Sequence, residues 1–314
     1  MTKVGVIGVG HMGGNHARIL SELPNVELKA ICDFDEDRAK QVGQMYHAKP
    51  YKDYSKMLQE EDLDAVSIAA PTRLHADVIN NAVDCVKNVL VEKPIASTFE
   101  EAKNAVGLAD KKNVNLMVGY VERFNPVVDK LKEIVAKEGL KRPIVACARR
   151  LGPYAPWIRD QGVVLGLAIH DIDILGYALD CEVKEVFASN LPVYSEFEDF
   201  AALVLELEGG GLCTMEASQF SLYKTRTFDV YASDKNLSLD LLNQTIHTFK
   251  LDKKNIREEV PVKKGESLRI ELQHFINVAL GKEKPLATAK EGLRSFAVAL
   301  AALESAKKKR PVRP

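Results

Sequence analysis

Lys3-Val4-Gly5-Val6-Ile7-Gly8-Val9-Gly10-His11-Met12-Gly13 opens on an apolar run and breaks into glycines at fixed spacing. The run reads as a buried strand, a tight turn and the start of a helix. Gly8, Gly10 and Gly13 have the G-x-G-x-x-G spacing. The first glycine permits the turn, the second lets a pyrophosphate approach the backbone, and the third lets the helix pack on the strand. Free N–H groups at the helix start, through Gly10, His11 and Met12, then face the phosphates with the positive end of the helix dipole behind them. The next strand, Glu27-Leu28-Lys29-Ala30-Ile31-Cys32, ends at Asp33, where an acid following such glycines meets an adenosine ribose. The other reading of Asp33 is a cap for the segment from Asp35.

Outward from this stretch, residues 1–118 alternate strand and helix. Apolar strands are expected at 3–9, 26–32, 64–69, 88–91 and 114–118, with helical patterns near 14–22, 35–46, 74–86 and 98–111. Near-continuous apolar strands separated by helices imply a parallel sheet covered on both faces. Right-handed crossovers make it doubly wound. Ligands of such sheets bind outside the carboxyl ends of the strands. That rule selects three loops: Gly8–Gly13, Ala70-Pro71-Thr72-Arg73-Leu74-His75, and Glu92-Lys93-Pro94.

The pattern changes after Tyr120. Asn125-Pro126 opens a helix to about 138, a strand follows at 143–150, and Gly162 to Leu179 reads as a loop entering a buried helix. From 183 to 261 the chain is strand-rich, with Gly209-Gly210-Gly211 as a turn, which suggests a mostly antiparallel sheet. Two helices finish it. One carries Leu268, Leu272, Phe275, Ile276, Ala279 and Leu280 on one face before Gly281; the other opens on a Thr288/Glu291 capping box. The reading is two domains, 1–120 for the dinucleotide and 121–314 for substrate and oligomerisation.

Composition removes several classes. The 314 residues carry a formal net charge of −1, so nothing broadly attracts nucleic acid or acidic membranes. No apolar run approaches the roughly 18 residues needed to span a bilayer. The first residues form a strand, so no signal peptide is expected. Five scattered cysteines without C-x-x-C spacing suggest reduced thiols in a cytoplasm and no zinc site.

Three features carry chemistry. Proline biases Lys93 away from the helical region, which suits a lysine projecting from a strand end into a cleft. Such a lysine donates to a substrate hydroxyl, or it is a solvated turn residue. His170 lies in an otherwise apolar run with Asp171 and Asp173; on a helix, Asp173 is one turn on and shares its side. Histidine is a natural general base near neutral pH, though a lone histidine is also commonly a satisfied core residue. No third ligand stands at a useful spacing, so no metal is assigned. The run Tyr120-Val121-Glu122-Arg123-Phe124-Asn125-Pro126 sits at the domain junction. There Arg123 either pairs a phosphate or carboxylate bidentately or makes a salt bridge to Glu122 or another nearby acid.

Taken together, these residues resemble the Gfo/Idh/MocA oxidoreductase family over nearly the whole chain. The resemblance rests on the glycine motif, Asp33–Ala39, Pro71–His75, Glu92-Lys93-Pro94, and His170 with Asp173. It implies an α/β fold: an N-terminal Rossmann domain, then an α+β domain with a large open, mostly antiparallel sheet used for homodimers or homotetramers. It implies an NAD-dependent dehydrogenase, with NADP less favoured, passing a hydride between a sugar or cyclitol carbon and nicotinamide. Lys93 polarises the reacting hydroxyl and His170 exchanges its proton. Ala70, Pro71, Thr72, His75, Asp33, Arg38, Glu92 and Lys93 join the glycine turn around the cofactor. Tyr120, Arg123, Asn125 and Asp173 are assigned to the substrate, a sugar or nucleotide sugar. The runs 118–126 and 168–173 look most like the UDP-N-acetylglucosamine 3-dehydrogenase branch, in which Arg123 would suit a diphosphate. One position departs: many dehydrogenases of the family have Asp four residues before the histidine, where this chain has Gly166. On a helix that Asp would orient the imidazole. Rival readings are a dehydrogenase of a free sugar or inositol, and a dinucleotide-binding regulator without catalysis.

Overall fold

Short apolar runs alternate with amphipathic ones through the first 121 residues, and each becomes the element its period dictates. In a computed structural model, which describes residues 1–154, 161–250 and 257–314, they run β1 (Thr2–Ile7), α1 (His11–Glu22), β2 (Val26–Cys32), α2 (Glu36–Tyr46), β3 (Lys49–Tyr51) and α3 (Tyr54–Glu60). Then come β4 (Ala65–Ile68), α4 (His75–Ala82), β5 (Asn88–Glu92), α5 (Phe99–Lys112) and β6 (Asn115–Gly119). The strands pair in parallel in the order β3-β2-β1-β4-β5-β6. Val4, Val6, Ala65, Val66, Val89 and Leu90 are fully buried, as interior strands covered on both faces require. Order reverses between β1 and β4, the crevice where such sheets bind ligands.

Two differences from the sequence reading have local causes. α1 starts at His11, three residues before the expected 14, because the glycine turn is tighter than its length suggests. β3 and α3 were not expected. β3 is three residues long and carries Pro50, too short for a period and tolerable only at a sheet edge, where it lies. Asp53 announces α3 by accepting from the Ser55 and Lys56 amides.

The second half begins with a 3₁₀ turn at Val121–Phe124 and α6 (Pro126–Glu138), capped by Asn125 with proline at its start. β7 (Ile144–Leu151) follows. A π-helical turn at Val164–Ala168 then winds directly into α7 (Ile169–Leu179). The remaining strands are β8 (Val183–Leu191), β9 (Phe200–Leu207), β10 (Gly211–Ser218), β11 (Thr225–Tyr231), β12 (Lys235–Asp240), β13 (Thr245–Lys250) and β14 (Arg257–Val260). Residues 251–256 of the expected strand-rich run lie outside the described residues. The eight strands form one sheet, β14-β13-β12-β11-β7-β10-β9-β8, antiparallel except for the β7–β10 pair. Burial alternates along β7 and β9, so one face is core and the other open.

The last helices are α8 (Ser267–Ala279) and α9 (Ala289–Lys308). The chain groups into two compact units: Met1–Val121 with Ser267–Leu293, and Glu122–Glu266 with Arg294–Pro314. The sequence reading kept 121–314 as one run, whereas Ser267–Leu293 here groups with the Rossmann sheet. α8 packs on α1, β5 and β6, burying Leu272, Phe275 and Ile276. Beyond it, the Val118 amide donates to Ala287 O at 3.0 Å, and Thr288 bridges Met117. An amphipathic stripe shows that a helix needs a partner, without naming which. No helix among the described residues is long and apolar enough to cross a membrane.

Candidate active site

β1 delivers Gly8 into the turn at φ +84°, a conformation that L side chains rarely adopt. A Cβ on Gly8 would stand 2.6 Å from the Ala70 backbone, and one on Gly13 would stand 1.7 Å from Gly8 O. On Gly10 it would meet nothing within 4 Å. The first glycine therefore seats the loop after β4, the third closes the turn, and the second borders open space. α1 begins at this point with Gly10 as N-cap, no capping side chain and no acid in its first turn. Its positive end is left for an anion. The cradle fits a dinucleotide pyrophosphate against residues Gly10, His11, Met12 and Gly13.

Asp33 ends β2 and is buried. Its Oδ2 accepts from the Val9 amide at 2.9 Å and its Oδ1 from the Asp35 amide at 3.0 Å. It ties the glycine turn to the second strand. Capping of α2 falls to Asp35, which accepts from the Arg38 amide at 3.1 Å. The Arg38 guanidinium faces Asp33 at 3.3 Å and Asp35 at 3.2 Å.

Below the loop after β5 lies a buried polar chain. His16 Nδ1 is 2.7 Å from Ser67 Oγ, and His16 Nε2 is 3.2 Å from Glu92 Oε1. Glu92 Oε2 accepts from the Lys93 amide at 3.3 Å. Burial pushes the Glu92 carboxyl up, but the His16 bond and the charges of His16, Lys93 and His75 outweigh it and hold it below its ordinary value. Glu92 is thus an ionised brace beneath Lys93. His16 and Ser67 were missed in the sequence. Their signals were a serine inside the apolar strand Ala65–Ile68 and a histidine one turn past Gly13. His75, expected at the cofactor, is buried, with its ring nitrogens at the carbonyls of Pro94 and Ala70.

In the second unit, α7 carries His170 together with Asp171 and Asp173, two acids held by arginines. Arg123 Nε and Nη2 each donate to Asp173 at 2.7 Å, and Ser295 Oγ donates to the same carboxylate at 3.0 Å. Arg150 from β7 makes a second fork onto Asp171 at 2.9 and 2.8 Å and donates to Glu122 at 2.7 Å. Asn125 donates to Glu122 and to Leu241 O, both at 3.0 Å. Burial raises the Glu122 carboxyl, and Arg150, Arg226 and Asn125 more than reverse it. Arg123 is 3% exposed and Asp173 1%.

This geometry gives partners within the protein to the residues assigned to the substrate. Arg123 takes its alternative role, a salt bridge to a nearby acid, and its fork is filled by carboxylate in place of diphosphate. Asp173 accepts from Arg123 and Ser295, and Asn125 caps α6 and donates to Glu122 and Leu241 O. Tyr120, in the first unit, is fully buried and donates to Gly292 O at 3.3 Å. A buried ion survives only when partnered, and residue type at a junction does not separate such a framework from a ligand set. The segment before His170 is also not α-helical. Gly166 lies within the π turn, where the i→i+5 winding shifts the one-turn neighbour of His170 toward Leu165. A Cβ on Gly166 would meet Gln161 first, at 3.9 Å. Among the described residues no group of three or more His, Cys, Asp or Glu is set to hold a metal ion.

A doubly wound sheet with this turn and an acid closing its second strand defines a dinucleotide-binding protein. Comparison with known families sharpens the class. Residues 2–120 match the oxidoreductase family, NAD-binding Rossmann fold, and residues 128–238 match the GFO/IDH/MocA C-terminal domain. The chain belongs to the Gfo/Idh/MocA oxidoreductase family and is an NAD(P)-dependent dehydrogenase. It is 28% identical to the UDP-N-acetylglucosamine 3-dehydrogenase of Acidithiobacillus ferrooxidans over 95% of each chain. A solved structure of that protein superposes with a TM-score of 0.89 over 98% of both chains. The myo-inositol 2-dehydrogenase of Thermotoga maritima is 27% identical over 99% of this chain and 98% of its own.

Proposed function

We propose that this chain oxidises a secondary alcohol on a sugar ring with NAD, and that its substrate position is the 3-hydroxyl of a UDP-linked N-acetylamino sugar. The observation that carries the reading is end-to-end similarity to a UDP-N-acetylglucosamine 3-dehydrogenase. Lys93 donates to the reacting hydroxyl and stabilises the oxygen as its proton leaves. Glu92, fixed by His16, holds the turn that presents it. His170 accepts that proton. Bound nicotinamide supplies the hydride acceptor. The hydroxyl becomes a ketone as its C–H hydrogen leaves with two electrons.

NAD is favoured over NADP because Asp33 offers a carboxylate to the ribose hydroxyls and repels a 2′-phosphate, while Arg38 already pairs with Asp33 and Asp35. A homodimer or homotetramer through the open sheet face is supported by its apolar stripe. Tyr231, Val145 and Leu212 stand in register across three strands, and Val204 is paired with Phe187. Such a patch marks an interaction surface. A cytoplasmic setting suits five free cysteines.

The test is purified protein with NAD and either UDP-N-acetylglucosamine, free N-acetylglucosamine or myo-inositol, followed by NADH absorbance. NADH should form with the nucleotide sugar. Formation with inositol alone transfers the reading to the cyclitol branch, which the Thermotoga relative favours. Tight NAD binding with no turnover on any of them rejects the nucleotide-sugar substrate and the inositol alternative together.

A further inference from the structure

His75 stands at the start of α4 and is 1% exposed. Its Nδ1 lies 2.8 Å from the carbonyl oxygen of Pro94, and its Nε2 lies 2.8 Å from the carbonyl oxygen of Ala70. A carbonyl oxygen only accepts, and a neutral imidazole has a single N–H. In either neutral tautomer one nitrogen would point its lone pair at an oxygen lone pair across 2.8 Å. Both contacts are hydrogen bonds only when both nitrogens carry a proton. We infer that His75 is held as an imidazolium cation that fastens the loop after β4 to the loop after β5, and that it is a positioning residue for both the dinucleotide turn and Lys93.

Burial and the start of a helix each oppose a cation here. Against them stand two charge-assisted bonds and the buried carboxylate of Glu92, on which the charge of His75 acts. The other charged groups are Lys93 on the facing loop, His16 on α1 below Glu92, and the exposed Arg73 and Asp77 beside His75 in sequence; the helices packed on α4 add Lys56 and Glu60 from α3 and Glu100, Glu101, Lys103, Asp110, Lys111 and Lys112 from α5. Deprotonation would turn one bond into a repulsion within a fully packed site.

The consequence reaches three loops. Ala70, whose carbonyl the ring holds, is the residue whose backbone closes on Gly8. Pro94, whose carbonyl it also holds, directly follows Lys93. One ring therefore sets the turn that takes the pyrophosphate and the turn that presents the lysine. This consequence rests on the dehydrogenase reading; the protonation state does not.

The protonation state is read on the unaltered, cofactor-free protein labelled with ¹⁵N-histidine, with ring signals assigned through their side-chain correlations. At pH 8.5 an ordinary histidine, with a pKa of about 6.5, is about 99% neutral. For His75 both ring nitrogens should still show protonated shifts. A neutral pattern, one protonated and one bare nitrogen, overturns the inference. His75→Gln, which donates from a single nitrogen, should bind NAD roughly tenfold more weakly by calorimetry, the scale of one charge-assisted bond. Unchanged NAD affinity in the folded variant overturns the positioning role. If His75→Gln does not fold, the spectrum of the unaltered chain still decides the charge. Failure of the unaltered chain to bind NAD removes the dehydrogenase reading and the positioning role with it, and leaves the imidazolium to its own spectrum.

Discussion

Asp33 has two tasks, and its variants should separate them. It holds the Val9 amide within the glycine turn, and it offers the ribose a carboxylate. Asp33→Ala should weaken NAD roughly tenfold through lost bonds to charge and bring NAD and NADP closer together. Equal binding of both cofactors by the unaltered protein would reject the assignment. Lys93→Ala should lower turnover by roughly 10²-fold or more, the usual scale of acid–base help, with a modest change in NAD affinity. Unchanged turnover would return Lys93 to a solvated turn. Gly166→Asp is a different case. Its Cβ has room, and the nearest polar atom is Gln161 Nε2 at 3.9 Å. The new carboxylate should therefore pair with Gln161 and leave turnover nearly unchanged. A large rise in turnover, measured by steady-state kinetics, would restore the idea that the imidazole lacks an orienter. The glycines were legible because the turn demands them at that spacing, and Asp33 because an acid is expected at the end of the strand that follows. His16, Ser67 and the buried partners of Arg123 and Arg150 were not, since a pairing across tens of residues leaves no local pattern.

At the level of the element, the loop between β8 and β9 is built on one carboxylate. Asp199 accepts from the amides of Val193 and Tyr194 at 2.6 Å and Ser195 at 3.1 Å, and from the Gln219 side chain. Burial raises its pKa, but these donors outweigh it and hold the folded value well below the ordinary one. Folded, the group binds fewer protons than unfolded. Its contribution is complete above the unfolded pKa of about 3.9 and is lost as pH falls through the folded value. Asp199→Ala should cost about 2 kcal/mol at neutral pH, and the difference between the two proteins in urea titrations should shrink in acid. A constant difference down to pH 2 would exclude the carboxylate as the cause. The neighbouring Glu198 accepts from the Val164 amide at 3.0 Å, so the same loop anchors the π turn ahead of His170. Regular strands and helices announced themselves by period. The π turn and β3 did not, because neither is long enough to repeat.

For the whole molecule, the partition of the chain matters more than its two-domain count. Leu272, Phe275 and Ile276 cover a surface of the Rossmann unit that no residue between 1 and 121 covers in their place. A fragment ending at Val121 should therefore bind an apolar dye and aggregate, and a peptide of residues 267–293 should suppress both. A monomeric fragment that binds no dye would show the helix to be dispensable. Fold class was readable because it follows from alternating strand and helix. The return of α8 was not, because an amphipathic face records only that something must cover it.

That return has a consequence in time. The ribosome adds about 5–20 residues per second, so residues 122–266 occupy roughly 7–30 s between the emergence of β6 and that of α8. Throughout that interval the nascent dinucleotide unit has its six strands but an uncovered apolar flank. The dinucleotide unit, though its six strands are made before residue 122, is thus closed only after residues 267–293 follow, and slowing translation across the middle of the message lengthens its most vulnerable state.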